Sequence, residues 1–276
     1  MECPVLDAWQ TTSAALLTAS AGIYAGGVAR LWRNAGRGRG LRPLNLALFA
    51  AGLVAAGLAL VSPFPALSQA LFSAHMGQHE LLMLVAAPLL VMGKPWLAAA
   101  WALPARSRAG ILAVTQRPLV RGPFRAVTAP ATVLVLHALA LWIWHVPQLF
   151  ERALENQNLH AFQHFCFFGT AALFWWTLVQ GRYGRAGYGA GVLFVFLTSM
   201  HSGILGALMT LGRAVWYPAY DAPARAAGVD PLRDQQLAGL IMWIPAGIIF
   251  MVVGLALCAA WLGESERRGR LSAMEE

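Results

Sequence analysis

Long apolar runs, separated by short polar or basic connections, divide this chain of 276 residues. Seven of the runs are close to the ~20 residues that a helix needs to cross about 30 Å of hydrocarbon. They lack the polar face that a water-exposed helix carries, which argues against a soluble bundle. The pattern therefore predicts seven transmembrane helices in a single domain, residues 1–276. The predicted spans are residues 9–30, 44–61, 75–92, 127–145, 159–179, 188–211 and 236–262.

The amino-acid composition agrees with this pattern. Hydrophobic residues make up 58% of the chain, charged residues 12%, and the mean hydropathy is +0.58. Soluble globular domains have about twice this share of charged residues, at about 25%. We therefore interpret the chain as an all-α, polytopic membrane helix bundle, with membrane lipid as one of its partners.

Basic residues are distributed unevenly between the two sides that the predicted spans define. Sixteen of the 20 Lys and Arg residues lie on one side. The positive-inside rule then predicts an N-terminus outside and a C-terminus inside. The net charge of +8 is explained by anionic lipid on the cytoplasmic side, so no nucleic-acid partner is predicted. The inner-side residues are Arg30, Arg33, Arg37, Arg39, Arg42, Lys94, Arg106, Arg108, Arg117, Arg121, Arg125, Arg182, Arg185, Arg267, Arg268 and Arg270.

One short motif occurs twice, at the start of the third and of the fifth predicted span. His75-Met-Gly-Gln-His79 is repeated as His160-Ala-Phe-Gln-His164. The spacing i, i+4 places both imidazoles of each pair on one face of a helix. Ionisable side chains are costly inside a membrane and usually mark a functional site. A metal or haem site is therefore the leading interpretation of the two pairs.

Further candidate ligands lie on the same side of the predicted bundle. All seven histidines fall in the middle or outer part of their spans, and none lies in a predicted cytoplasmic loop. Imidazole is a ligand for Cu, Zn, Fe and Ni, and thioether favours Cu(I). These residue types thus predict a transition-metal site, with Cu(I) among the ions they suit and haem b as the alternative. The candidate ligands are His75, His79, His160 and His164, with His145, His201 and Met76 as additional ones.

Other polar and aromatic residues are expected to support this arrangement. Gln78 and Gln163, each just before the second histidine of its motif, could orient a bound ligand. Asp234 is placed to cap the last helix. Tyr217 and Tyr220, in the preceding connection, fit an aromatic belt at the membrane interface.

Several strings of the chain, taken together, resemble the CtaG family of integral-membrane cytochrome c oxidase assembly factors, of the type found in Bacillus. The likeness extends from about residue 45 to about residue 260. It implies a seven-helix protein of the bacterial inner (cytoplasmic) membrane that helps to mature a haem-copper oxidase, with cytochrome c oxidase subunits as partners. The strings are residues 75–79, Leu81-Leu-Met-Leu-Val-Ala-Ala-Pro-Leu-Leu90, Gly93-Lys-Pro95, Trp144-His-Val-Pro147, residues 159–164, Phe174-Trp-Trp176 and Asp234-Gln-Gln-Leu-Ala-Gly-Leu-Ile-Met-Trp-Ile-Pro245.

The resemblance and the histidines together lead to a specific functional hypothesis. Copper bound near the outer surface would pass by ligand exchange from a periplasmic copper donor to the oxidase, so no enzymatic turnover is expected. Three alternatives stay open at this point. They are a b-type haem or quinone-linked oxidoreductase with His79 and His164 as haem ligands, a copper importer, and a metal-free scaffold for oxidase subunits. An importer would need polar residues further inward, and in the sequence His137 is the clear one.

Overall fold

The computed structural model describes residues 8–62, 64–180 and 187–275, and all regular structure in these ranges is helical. The all-α prediction is therefore confirmed for this part of the chain. In chain order the elements are α1 (Ala8–Ala35), α2 (Pro43–Leu60), α3 (Phe64–Ala70), α4 (Phe72–Glu80), a π-helical segment (Leu81–Ala86), α5 (Ala87–Met92), α6 (Pro95–Ala102), α7 (Ala105–Gln116), α8 (Pro118–Val127), α9 (Pro130–Trp144), α10 (Pro147–Glu155), α11 (Gln157–Val179), α12 (Gly187–Leu211), a 3₁₀ turn (Pro218–Tyr220), α13 (Asp221–Ala226) and α14 (Pro231–Glu275).

Five helical stretches of the described residues are long and apolar enough to cross a bilayer. Two bent helix pairs also meet this criterion, so the number of spans rises to as many as seven if each pair is one span. The protein is thus a multi-pass membrane protein, while the count of seven and the orientation stay predictions. The five stretches are Trp9–Ala35, Pro43–Leu60, Gln157–Val179, Gly187–Leu211 and Pro231–Arg267, and the pairs are Phe72–Met92 with Pro95–Ala102, bent by 53°, and Pro118–Val127 with Pro130–Trp144, bent by 58°.

Two of the basic residues behind the predicted orientation, Arg182 and Arg185, lie outside the described ranges. The remaining basic connections can be placed relative to the histidines. Tyr24 donates a hydrogen bond to the Gly93 carbonyl (2.7 Å), and Asn45 donates to the Met92 carbonyl (2.8 Å), so the second half of α1, the start of α2 and the end of α5 meet. His75 lies 17 residues before Met92, about 25 Å away at helical rise. The paired histidines and the basic connection 36–42 are therefore at opposite ends of the bundle.

A π-helical segment separates the two halves of the third predicted span. Pro88 has no N–H, and its ring would clash with the carbonyl four residues earlier. The helix widens before it, and the Ala87 N–H bonds to the Leu82 carbonyl, five residues back. The indole N–H of Trp175 on α11 donates to the Met83 carbonyl (2.9 Å). This bond ties the two histidine-bearing helices together one turn below His79.

The long helix α14 packs against α4, which carries the first histidine pair, and crosses α12 closely. A Cβ atom at Gly239 would lie 2.6 Å from the Gly206 carbonyl oxygen, so any larger residue would push the helices apart. Small residues allow this kind of backbone approach in membrane bundles. The crossing places the first turn of α14, with Asp234, against the first turn of α4.

Candidate metal centre

Four histidines from α4 and α11 converge on one point at the end of the bundle. One ring nitrogen of each of His75, His79, His160 and His164 can be chosen so that all four lie within 4.8 Å of one another. The rings of the α4 pair are in contact with those of the α11 pair, with centroids 5.2 Å apart for His75 and His160 and 5.0 Å for His79 and His164. The repeated motif therefore contributes two faces to a single group.

This histidine group is almost entirely removed from solvent. His75 and His79 are each 1% exposed and His164 is 4% exposed, whereas His160 is half-buried. Six of the eight ring nitrogens are buried without a hydrogen-bond partner: Nε2 of His75 and of His160, and both nitrogens of His79 and of His164. Buried polar atoms normally have a partner, so this concentration of unpartnered ring nitrogens indicates a ligand site.

The spacing of these nitrogens suits a single metal ion. Two nitrogens bound to one ion at about 2.0 Å are at most about 4 Å apart, so small side-chain rotations would complete the coordination. Within the described residues, the group contains no carboxylate and no cysteine. Four neutral imidazoles are a ligand set for Cu, Zn, Fe or Ni rather than for Mg or Ca.

The start of α4 is held by a carboxylate that is distant in the sequence. Asp234 accepts hydrogen bonds from the backbone N–H of Phe72 (2.6 Å) and Ser73 (3.3 Å) and from the Ser73 hydroxyl. These are the donors that a helix leaves free in its first turn. The prediction that Asp234 caps the last helix is wrong, because α14 begins at Pro231 and Asp234 lies inside its first turn. Its side chain instead fixes the helix that carries His75 and His79.

Tyr220 determines which nitrogen of His75 is free. Its hydroxyl lies 3.0 Å from the Ser68 carbonyl oxygen and 2.9 Å from Nδ1 of His75. A carbonyl can only accept, so the hydroxyl donates its single hydrogen to Ser68 and accepts from Nδ1–H of His75. Burial raises the pKa of Tyr220, and Asp234 and Tyr217 raise it further, so the phenol keeps its hydrogen. Nε2 of His75 thus has its lone pair free, which is the form that binds a metal.

The sequence reasoning missed both Tyr220 and its neighbour as parts of the site. Tyr217 and Tyr220 are 1% and 4% exposed, so the predicted interfacial belt is wrong for these two residues. The Tyr217 hydroxyl donates to the His145 carbonyl (2.8 Å), and the rings of Tyr217 and Tyr220 both pack on Phe72 and Phe150. The connection before α14 therefore covers the histidine group. No local sequence pattern indicates the contact between Tyr220 and His75, because 145 residues separate them.

The α11 pair is supported differently. Asn156 caps α11 by accepting from the backbone N–H of Asn158 (3.0 Å) and Leu159 (3.1 Å). The ring of Trp9 on α1 lies 6.3 Å from that of His164. Gln163 is fully buried, and neither of its amide atoms has a hydrogen-bond partner, whereas Gln78 on α4 donates to the Ala59 carbonyl (2.7 Å). Each histidine pair has three unpartnered ring nitrogens, so the difference lies in the glutamines: both amide atoms of Gln163 are unpartnered, but only the oxygen of Gln78 is.

The other candidate ligands occupy different positions. His145 lies beside the group, with its Nδ1–H donating to the Leu141 carbonyl (2.6 Å) and Nε2 unpartnered. Met76 is fully buried in a hydrophobic cluster with Phe72 and Met209. His201 is outside the group, and its ring lies 5.8 Å from that of His137. The structure therefore brings together four of the seven candidates, with His145 adjacent to them.

A second, smaller polar region lies deeper in the bundle. Glu80, His137 and Ser202 line a cavity of about 20 Å³, which is room for about one water molecule. His137 donates from Nδ1 to the Thr170 hydroxyl (3.0 Å), because that hydroxyl donates to the Cys166 carbonyl (2.8 Å). Phe174, Trp175 and Phe250 also line this cavity and belong to a hydrophobic cluster.

Comparison with known proteins shows the family of this chain. The family model for the cytochrome c oxidase caa3 assembly factor matches residues 22–264, nearly the whole chain. The chain belongs to this family, the CtaG family of caa3 oxidase assembly factors. The resemblance seen in the sequence is therefore confirmed.

Curated relatives of the chain are longer mycobacterial proteins. It is 29% identical over 216 residues to an uncharacterized protein of Mycobacterium leprae, a match that covers 72% of this chain and 31% of the relative. It is 26% identical over 274 residues to uncharacterized proteins of Mycobacterium bovis and Mycobacterium tuberculosis, covering 95% of this chain and 40% of each relative. The chain thus spans less than half the length of these relatives. No solved structure matches it.

Proposed function

We propose that this assembly factor binds copper at the four-histidine group and delivers it to a haem-copper oxidase. The observation that carries the proposal is the convergence of His75, His79, His160 and His164 within 4.8 Å, with six buried ring nitrogens unpartnered. The family indicates which protein would receive the copper, since its members are assembly factors for a cytochrome c oxidase. Copper is treated as cargo, held by imidazole nitrogens and passed on by ligand exchange.

Exchange of a metal ion requires a way into the site, and His160 provides one. It is half-buried, while the other three members are buried. An incoming ligand from a copper donor or from the oxidase can replace this imidazole first, so the ion never becomes fully uncoordinated. We place the site at the outer surface, because it lies at the end of the bundle opposite the basic connection 36–42.

The haem alternative conflicts with the packing of the rings. His79 and His164 would be the axial ligands, on opposite faces of the porphyrin. Their rings are in direct edge-to-face contact, with centroids 5.0 Å apart, and the ring of Phe167 packs 4.7 Å from His79. A flat macrocycle has no slot between them, which favours a single ion.

The importer alternative would require a polar route from the site to the other side. The polar side chains continue inward as far as the cavity at Glu80 and His137. Beyond it, Phe174, Trp175 and Phe250 pack into a hydrophobic cluster that also contains Phe194 and Val91. A charged ion would have to be desolvated there, which favours release on the side of entry.

The first test is copper binding by the purified protein, reconstituted anaerobically with Cu(I) and measured by elemental analysis together with an optical spectrum. We expect about one copper per chain and no Soret band, because the four histidines form a single group of metal ligands. The double variant His79→Ala/His164→Ala should lose the copper. His201→Ala is the matched control, since this histidine is half-buried, like His160, but lies outside the group, and it should retain the ion.

The delivery step needs a second readout, in cells. A strain that carries His79→Ala/His164→Ala in place of the wild type should accumulate oxidase that lacks copper but contains its haem. Full copper occupancy of the oxidase in that strain would favour a metal-free scaffold. A Soret band that disappears in the double variant would favour the haem protein.

A further inference from the structure

A long apolar cavity lies beside the histidine group, between α1, α2, α5 and α11. Its volume is about 530 Å³, and its walls include Leu17, Leu53, Leu90 and Phe168. Helix α1 packs against α2 and α6. The cavity separates α1 from α11, with Trp9 and His164 on its wall at one end.

The cavity is elongated along the bundle. Both Trp9 and Tyr24 of α1 line it, and fifteen residues of helix correspond to about 22 Å. The hydrocarbon core of a bilayer is about 30 Å thick. The cavity therefore fits an extended chain that follows the bilayer normal rather than a compact solute.

The lining sets strict limits on the chemistry of an occupant. Among the described residues that line the cavity, none is Asp, Glu, Lys or Arg. The Ser20 and Tyr24 hydroxyls already donate hydrogen bonds, to the carbonyls of Leu16 (2.7 Å) and Gly93 (2.7 Å) respectively. His164 is different, because it is buried and neither of its ring nitrogens has a partner.

The imidazole of His164 requires a hydrogen-bond acceptor. A neutral imidazole carries a hydrogen on one of its nitrogens, and this holds whether the other nitrogen binds a metal or not. Metal-binding histidines almost always donate this second N–H to a partner. His75 has Tyr220 for this purpose. For His164, an occupant of the cavity can supply the acceptor.

We propose that the cavity binds an isoprenoid quinone, with a ring carbonyl accepting from His164 and the tail lying along α1 and α2. A quinone head is planar, uncharged and carries carbonyl oxygens, which matches a wall made of Trp9, Phe165, Phe168 and one imidazole donor. A phospholipid would bring a phosphate, for which the described lining offers no cation. His164 would then belong both to the metal centre and to the quinone site.

The test measures the lipids that remain with the protein when it is extracted from membranes in polymer nanodiscs. Organic extracts are analysed by mass spectrometry for quinone and phospholipid per chain. We expect about one quinone per wild-type chain, as for a single specific cavity. Leu53→Trp should fill the cavity and lower the quinone by about tenfold, which corresponds to a modest loss of binding. Leu58→Trp, on the exposed face of the same helix, should leave it unchanged.

A second variant guards against misfolding, and two histidine variants separate this proposal from copper binding. Ala172→Phe fills the same cavity from α11 and should lower the quinone as Leu53→Trp does, while both retain copper. His75→Leu should lose copper and keep the quinone, whereas His164→Leu should lose both. The proposal is overturned if phospholipid is retained in place of quinone, or if the cavity-filling variants hold as much quinone as Leu58→Trp.

Discussion

The two copies of the His-x-x-Gln-His motif are built into their surroundings in different ways. On α4, Asp234 holds the first turn of the helix, Tyr220 binds His75, and both histidines are 1% exposed. On α11, the helix is capped by its own Asn156. His160 there is half-buried, and His164 borders an apolar cavity.

This difference separates two tasks that a metal carrier must perform. Tyr220 fixes the tautomer of His75, and Asp234 holds the helix that carries the α4 pair. The α11 pair keeps one partly exposed imidazole and several unpartnered polar atoms. We therefore expect the α4 pair to determine affinity and the α11 pair to determine exchange.

The largest expected effect comes from removing one ligand of each pair. Outer partners of a metal ligand already contribute about 10–100-fold to affinity, so His75→Leu should weaken Cu(I) binding by at least about 100-fold. His160→Leu should weaken it by about tenfold, because water can reach that position, and should speed copper release more than it lowers affinity. Competition with a chromophoric Cu(I) chelator measures both, and equal losses would remove the distinction between the pairs.

The second effect concerns the two helix caps. Asp234→Ala leaves the buried N–H groups of Phe72 and Ser73 without an acceptor and should lower the free energy of unfolding by about 3 kcal/mol. Asn156→Ala removes an exposed cap and should cost about 1 kcal/mol. Denaturation in detergent compares them, with Asp230→Ala, an exposed cap at the start of α14, as the control. Similar losses for Asp234→Ala and Asp230→Ala would show that α4 is held by other contacts.

A smaller effect is expected at the hydrogen bond between Tyr220 and His75. Tyr220→Phe keeps the ring but removes the acceptor for Nδ1–H, so Cu(I) affinity should fall by about tenfold. Tyr217→Phe removes a hydroxyl that donates to the His145 carbonyl and should leave copper affinity unchanged. The same chelator competition is the measurement, and a similar loss in both variants would point to the aromatic cover as a whole.

The smallest effect separates the two glutamines of the motif. Gln78→Leu removes a buried bond to the Ala59 carbonyl and should destabilise the metal-free protein by about 1 kcal/mol. Gln163→Leu should be neutral in the metal-free protein, because neither of its amide atoms has a partner. Thermal unfolding with and without Cu(I) tests this. A clear destabilisation of metal-free Gln163→Leu would mean that its amide is already satisfied.

The part of the site that could be predicted from the sequence is the local part. A spacing of i, i+4 places His75 beside His79, and His160 beside His164, in any helix. The apolar runs likewise predicted where the long helices lie, because a spanning helix must satisfy its backbone within its own segment. The π-helical segment before Pro88 could not be predicted from the sequence. Its Met83 carbonyl accepts a hydrogen bond from Trp175, which lies on another helix.

The sequence by itself determined the helical membrane class, the family and the pairing of histidines on two helices, because each is encoded within one segment. The tertiary structure decided that the two pairs face each other, that Asp234 holds α4 from 162 residues away and that Tyr220 orients His75. It also decided that a cavity separates α1 from α11. These contacts depend on how whole helices cross, and close crossings such as Gly206 with Gly239 are determined by the packing of both partners at once.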